Sequence, residues 1–363
     1  MATGNGIAGR GRRPADGFVL VLVLAILVIL SLLASGVAVT ADRLRRQEDE
    51  RQAALRAAVD MADTRASVLY LLLTQRRTFG GLTVDDRVVL SLDERIAARD
   101  GDDTLSLVPV GNEITLDGTP HRGLGEARFA LQDDRGRIAV NWAPAPVIER
   151  FVARQAGQQV PVATLQNLLE DYQDADDLHR LNSLERDGYR ARGRPPPSNR
   201  ALVTPLELRR VAGWGEVLAR MSDGRLLDVV TSARSAQINV NTAPSDALVA
   251  LPGIDEALAR RLVDARQLKP FTAMAEVRQI VGGAPGGEEY LSLYPMDSGT
   301  LKMWAPGGGA VRVLHWTLTL FDREGRPWRE DYEFALSQDD RPDDGVARPT
   351  AAKVLARPEA AAR

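Results

Sequence analysis

The chain has 363 residues, 44% of them hydrophobic, a formal net charge of −3 and no cysteine. That balance fits a globular protein of two or three domains and offers no overall basic surface for nucleic acid. Absence of cysteine excludes thiolate zinc sites, iron–sulfur clusters and thiol catalysis, and leaves the compartment open, since an oxidising space permits disulfides without requiring them.

Residues 18–39 read FVLVLVLAILVILSLLASGVAV without a charge. As a helix this run spans roughly 33 Å, enough for a hydrocarbon core of about 30 Å. Arg10, Arg12 and Arg13 precede it in a leader ending Pro14-Ala15-Asp16-Gly17, and Asp42-Arg43-Leu44-Arg45-Arg46 follows. Three readings stand side by side: a secretory signal peptide, a plain signal anchor, and a pilin-type leader cut after Gly17 to free Phe18. Arginines flank both ends, so charge does not set the orientation; a leader this short is expected to stay cytoplasmic while the remainder crosses.

Leu55, Ala58, Val59, Ala62, Ala66, Leu69 and Leu73 continue at helical spacing among charged residues. They predict that the helix runs on, as an amphipathic rod, to about residue 73. Short apolar runs at 88–92, 105–110, 113–116, 127–131 and 137–140, broken by Gly, Asp and Asn, predict strands of an antiparallel sheet. Pro144 and Pro146 end that pattern, and 147–186 is helical, with Val162, Leu165, Leu168 and Leu169 as its apolar stripe. An extended polar segment at 190–199 carries three prolines. A further helix is expected from Pro205, with Thr204 as N-cap and Glu207 completing a capping box. Residues 311–321 and 328–336 alternate about Asp322-Arg323-Glu324-Gly325 and predict a hairpin. The tail beyond 338 is rich in Pro, Ala, Arg and Asp and is expected to be disordered.

The strongest local signal lies at 237–281. Thr242 is expected to cap a helix carrying Ala247, Leu248 and Leu251. Pro252-Gly253 turns the chain, Ile254 inserts between helices, and Leu258, Leu262 and Val263 form the facing side. This is a helix–hairpin–helix unit, which in other settings holds DNA phosphates through backbone N–H groups. Such a hairpin usually reads Gly-Ile-Gly, whereas here Asp255 holds the last position, and a carboxylate opposes a phosphate. The unit therefore reads as a packing or protein-contact element, with no nucleic-acid partner expected. Arg137-Ile138-Ala139-Val140-Asn141 echoes Gln237-Ile238-Asn239-Val240-Asn241, each a short strand opening a helical block. Asp171, Asp174, Asp176 and Asp177 supply hard oxygen ligands of the kind calcium prefers, without the glycine turn and spaced Glu of a calcium loop; a solvated helix end is the plainer reading. His121, His179 and His315 are far apart in sequence and show no metal spacing. No nucleotide-binding loop or nucleophile elbow is present, so neither an enzyme nor a small-molecule substrate is expected.

Taken in order, the leader, the strands, Asp134-Arg135-Gly136-Arg137-Ile138-Ala139-Val140-Asn141, the block from Glu170 to Asp177, Glu185 and Tyr189, Leu202-Val203-Thr204-Pro205-Leu206-Glu207-Leu208 and Ile238-Asn239-Val240-Asn241-Thr242-Ala243 resemble the minor pseudopilin K of the bacterial type II secretion system, general secretion pathway protein K. The resemblance covers about residues 11–337. It implies an α+β fold in which a pilin-like long N-terminal helix lies on an antiparallel sheet, with a large inserted α-helical domain containing the helix–hairpin–helix (SAM-like) unit. The implied divisions are a leader at 1–17, a membrane part at 18–39, its amphipathic continuation at 40–75, a β region at 76–141, the insert at 142–290, a closing hairpin at 291–337 and the tail at 338–363. Cleavage between Gly17 and Phe18 by prepilin peptidase, N-terminal methylation, an inner-membrane anchor with the bulk in the periplasm, and assembly with minor pseudopilins I and J at the tip of a pseudopilus that exports folded proteins are likewise implied. No cofactor is required, although family members can bind calcium. Where the family commonly has Trp in the acidic block, this chain has Tyr172. The fifth mature position, usually Glu in pilin-like subunits, is Leu22, as suits a subunit lacking one axial neighbour. The alternatives are a minor pilin of a related type IV filament and a membrane-anchored helix–hairpin–helix DNA-binding protein.

Overall fold

The computed structural model describes residues 16–84, 107–156, 161–282, 288–306, 308–319, 325–342 and 347–356. They fall into two compact units, one ending at Arg56 and one beginning at Ala57. Helix α1, Asp16–Thr74, is 59 residues long and belongs to both. It contains no proline and is dominated by Leu, Val, Ala and Arg, which tolerate or favour the helix. In the first unit its apolar run is bare, with Leu22 49% exposed and Leu32 68%. Among the described residues it is the one helix long and apolar enough to cross a membrane.

In the second unit α1 leads into a small hairpin of β1 (Arg77–Thr78) and β2 (Gly81–Leu82). The expected strand at 88–92 lies outside the described residues. Residues 107–110 are not a strand, though the Leu107 carbonyl accepts from Phe79 N–H at 2.8 Å, and the run at 113–116 contributes one bridge, Ile114 to Leu82. The main sheet has five antiparallel strands in the order β11-β10-β9-β4-β3: β3 is Asp117–Arg122, β4 Arg128–Asp133, β9 Ser298–Ala305, β10 Gly308–Leu318 and β11 Trp328–Leu336. Its side chains alternate between faces, as strand pleating requires. Phe129, Leu131, Leu301, Met303, Leu314 and Trp316 meet Val68, Leu71 and Leu72 of α1 on one face. Ala130, Trp304, Val311 and Val313 point to the other, with Leu227 and Leu336.

Between β4 and β9, neighbours in the sheet, the chain inserts its helical part, packed around a third core that includes Leu165, Tyr189, Trp214 and Leu248. The insert holds β5 (Ile138–Ala139), α2 (Ala145–Ala156), α3 (Val162–Gln173), α4 (Arg186–Ala191), a 3-10 helix at Pro205–Arg210, α5 (Trp214–Val217) and α6 (Asp223–Val229). It continues through β6 (Val230–Thr231), β7 (Ile238–Asn239), α7 (Ser245–Val249), α8 (Glu256–Leu268), α9 (Met274–Val281) and β8 (Leu291–Ser292). The run at 137–140 is therefore not part of the antiparallel sheet: β5 pairs in parallel with β6, and β7 pairs in parallel with β8. Each echo strand thus opens a helical lobe that a parallel strand closes. The two asparagines do matching work. Asn141 donates to the Leu202 and Ser232 carbonyls at 2.9 and 3.0 Å, and Asn241 to the Phe271 and Leu293 carbonyls at 2.9 and 3.4 Å.

Two expected caps and the expected tail also differ from what is observed. Thr204 makes no side-chain cap; Glu207 instead accepts from Val203 N–H at 3.0 Å. Thr242 does not cap α7, because its hydroxyl donates to Asp133 at 2.9 Å. The tail is ordered where it is described: Arg348 pairs with β3, and Ala352 and Leu355 are buried beside α1. Two small anchors and backbone bonds to an edge strand suffice, despite a composition poor in apolar residues.

Candidate functional site

Four places carry the sequence expectations, beginning with the processing site. Gly17 and Phe18 stand in the first turn of α1, and the leader residues 1–15 lie outside the described residues. Leu22 follows on the same exposed apolar helix.

The second is the helix–hairpin–helix. Leu251, Ile254 and Leu262 are buried, and Leu258 packs partly against the same core. Pro252 leads into Gly253, whose φ of +80° is the left-handed turn that glycine adopts without a Cβ penalty. Asp255 is the N-cap of α8, accepting from Leu258 N–H at 2.8 Å, so its carboxylate already occupies one of the backbone donors a phosphate would use. Arg150 of α2 donates to the Val249 and Ile254 carbonyls at 3.2 and 3.0 Å, turning the hairpin toward its own protein.

The third joins insert to sheet. A tight turn, Asp134–Gly136, follows β4. A Cβ on Gly136 would lie 2.8 Å from the backbone of Thr242, so only glycine permits this approach. Asp134 is fully buried. It pairs with Arg137, also fully buried, and with Ser298, and accepts from Thr231 at 2.8 Å. His315 of β10 sets Nε2 at 2.8 Å from Asp134 and Nδ1 at 2.8 Å from Asp331. Burial opposes the imidazolium, but the flanking carboxylates outweigh it and the His315 pKa lies above its ordinary value. Neither ring nitrogen is free to act as a base. Burial would raise Asp134 too, yet Arg137 and His315 hold it below the usual carboxylate range. Asp133, which accepts from Met296 N–H at 2.8 Å, Asn239 at 3.0 Å and Thr242 at 2.9 Å, is pushed up to about 6 by burial. The motif 134–141 is thus a buried polar lock. Its partners on β6, β9 and β10 were beyond the reach of sequence patterning.

The fourth is the acidic block at the end of α3. Asp171 is fully buried, accepting from Arg180 N–H at 2.9 Å and pairing with the Arg180 guanidinium and the Ser183 hydroxyl. The same guanidinium bonds Asp174 and lies 2.9 Å from Glu170. Asp176 accepts from Leu178 N–H at 2.8 Å, and Asp177 stands 3.8 Å from Arg186. Sequence reading missed Glu185 as part of this group. It is 2% exposed, and among the described residues both its carboxylate oxygens, like Asp174 Oδ1, have no hydrogen-bond partner. Burial first, then Asp171, Asp174, Asp177 and Asp176, push its pKa up to about 7. As they stand, no three acidic or histidine side chains among the described residues converge on a common ion position. The donor set nevertheless suits a hard cation: oxygen only, with three buried lone oxygens.

Comparison with known proteins matches residues 234–282 to a helix–hairpin–helix motif family. No curated protein matches the chain. Among solved structures, the chain is similar to a chain of the GspK–GspI–GspJ complex from the enterotoxigenic Escherichia coli type 2 secretion system. The identity is 15%, the TM-score 0.43, and the match covers 81% of this chain and 99% of that one.

Proposed function

We propose that this protein is a minor pseudopilin of the K type: a subunit anchored by α1 in the inner membrane, with its second unit in the periplasm, at the tip of a type II secretion pseudopilus. The observation that carries this reading is α1 itself, apolar and bare through Val39 and packed from Val68 onward on an antiparallel sheet. An apolar rod of this kind is stable among lipids or like rods, where no backbone group is left unpaired. Prepilin peptidase cuts after Gly17, Phe18 becomes the mature N-terminus, and minor pseudopilins I and J are the partners. The helical insert adds bulk that suits the end of a filament rather than its shaft. Asp174 and Glu185, with Asp171 beside them, would hold calcium, which would tie the end of α3 to α4. The role is architectural, with no reaction catalysed.

The test is N-terminal sequencing and co-purification of the protein extracted from membranes of cells making the whole machinery. A chain beginning at Phe18 and accompanied by pseudopilins I and J is expected. A chain that keeps its first seventeen residues and brings down no pilin-like subunit ends the proposal, whereas accompaniment by type IV pilins instead moves it to that related machine. The helix–hairpin–helix match favours one rival, DNA binding. Affinity that is tight and falls steeply with salt would establish that rival.

A further inference from the structure

Arg180 sits in the acidic block as a cation would. Its guanidinium reaches Glu170, Asp171 and Asp174, and its own backbone N–H bonds Asp171 at 2.9 Å. A guanidinium is a planar fork, so it satisfies oxygens lying near its own plane. Asp174 Oδ1 and both oxygens of Glu185 are left buried without a partner. A buried carboxylate in that state is costly. A divalent ion takes oxygens from six to eight directions, at about 2.3–2.6 Å for calcium, and so could collect the oxygens the fork leaves over. The two cannot share the block, since like charges a few ångströms apart repel strongly away from bulk water. Arg180 has an exit: its side chain is 38% exposed, whereas Asp171 has none.

We infer that Arg180 is the resident counter-ion of this block, and that its guanidinium and a divalent cation are alternative occupants, the cation entering as Arg180 swings to solvent. This rests on the cation reading given above. In the metal-free protein Arg180 holds the segment between α3 and α4 in place, and it sets the calcium concentration needed to displace it. The convergence of ligands is absent for the same reason: the guanidinium stands between the carboxylates that would have to close on the ion.

The test is calcium chloride titration calorimetry and thermal unfolding, with and without chelator, on the full-length detergent-solubilised protein and on Arg180→Gln, Arg180→Lys and Glu185→Gln. Arg180→Gln is expected to bind calcium at least tenfold more tightly than the native chain. Its melting temperature should fall below native in chelator and recover in calcium. Arg180→Lys keeps the charge and should stay within about threefold of native affinity, and Glu185→Gln should lose binding. Equal or weaker calcium affinity in Arg180→Gln overturns the counter-ion role while leaving the cation site standing. No calcium binding in any of the four overturns both.

Discussion

His315 is the residue whose chemistry reaches furthest, because it ties β10 to the turn after β4 through Asp134 and to β11 through Asp331. Its pKa is raised, so its stabilisation is complete below the ordinary 6.5 and is lost as pH climbs through the higher folded value. Asp133 acts in the same sense: folding favours its protonated form, a contribution present below 3.8 and lost as pH rises through about 6. Asp134 runs the other way, its pKa being lowered, so its contribution is present above 3.8 and lost as pH falls through the folded value. Thermal stability is therefore expected to peak between about pH 4 and 6 and to decline on the alkaline side. His315→Gln should lower the peak and flatten that decline. Unfolding scans from pH 4 to 9 check this, and a native melting temperature level from pH 5 to 8 would rule it out. The Asp134–Asn141 run stands out in the sequence as a motif, but its work does not. Thr231, Ser298 and His315 reach it from 97, 164 and 181 residues away, and periodicity carries no information over such distances.

At the scale of elements, α1 carries an apolar stripe that faces the core at its end, where Leu69 is buried and Leu73 packs beside it, and faces outward before that. Its extent was legible from spacing, and so was an apolar stripe. Yet Val59 is 50% exposed, and Ala62 and Ala66 of the same stripe are exposed too, while the polar Asp60 and Thr64 are buried. The reason lies in the loop between β3 and β4. There the Glu126 and Leu124 N–H groups need acceptors, and Asp60 and Thr64 supply them at 3.0 and 2.9 Å. Only from Val68 on do apolar residues face the sheet. Leu72→Ala is accordingly expected to cost about 2–5 kcal/mol, whereas Val59→Ala should stay within about 0.5 kcal/mol of the native protein. Urea unfolding of the two variants decides it, and similar losses would mean that the stripe faces inward after all. Strand β9 escaped sequence reading because it is buried on both faces, so Ser298–Ala305 shows no alternation, and Lys302 hides in it by pairing with Asp228 at 2.8 Å. Strand β3 escaped because Gly118 and Pro120 look like a turn, a composition that an edge strand tolerates.

For the molecule as a whole, an apolar rod followed in turn by strands, helices and a closing hairpin was legible, since hydropathy and Pro/Gly punctuation are strong signals at that scale; that the helices form an insert within the sheet was implied only by the family resemblance. The topology was not. Neither the parallel clips closing the two lobes nor the return of residues 347–356 to the sheet leaves a pattern in local composition. On the proposed reading, the rod's uncharged start is a functional choice. Leu22→Glu would place a carboxylate among apolar helices at a cost on the order of 3 kcal/mol, and it is expected to impair incorporation at the tip. Secretion and pseudopilus assembly measured in cells provide the check, and unchanged levels of both would remove Leu22 from the account.

The insert leaves the sheet beyond Asp133 and rejoins it near Gly299, and these two residues sit opposite each other in the β4–β9 ladder. Tension drawn along the sheet therefore runs through that ladder and bypasses the intervening 165 residues, which hang from it as a closed side-loop. Under load the helical head is a passenger: it would keep its shape while the sheet beneath it bears the strain.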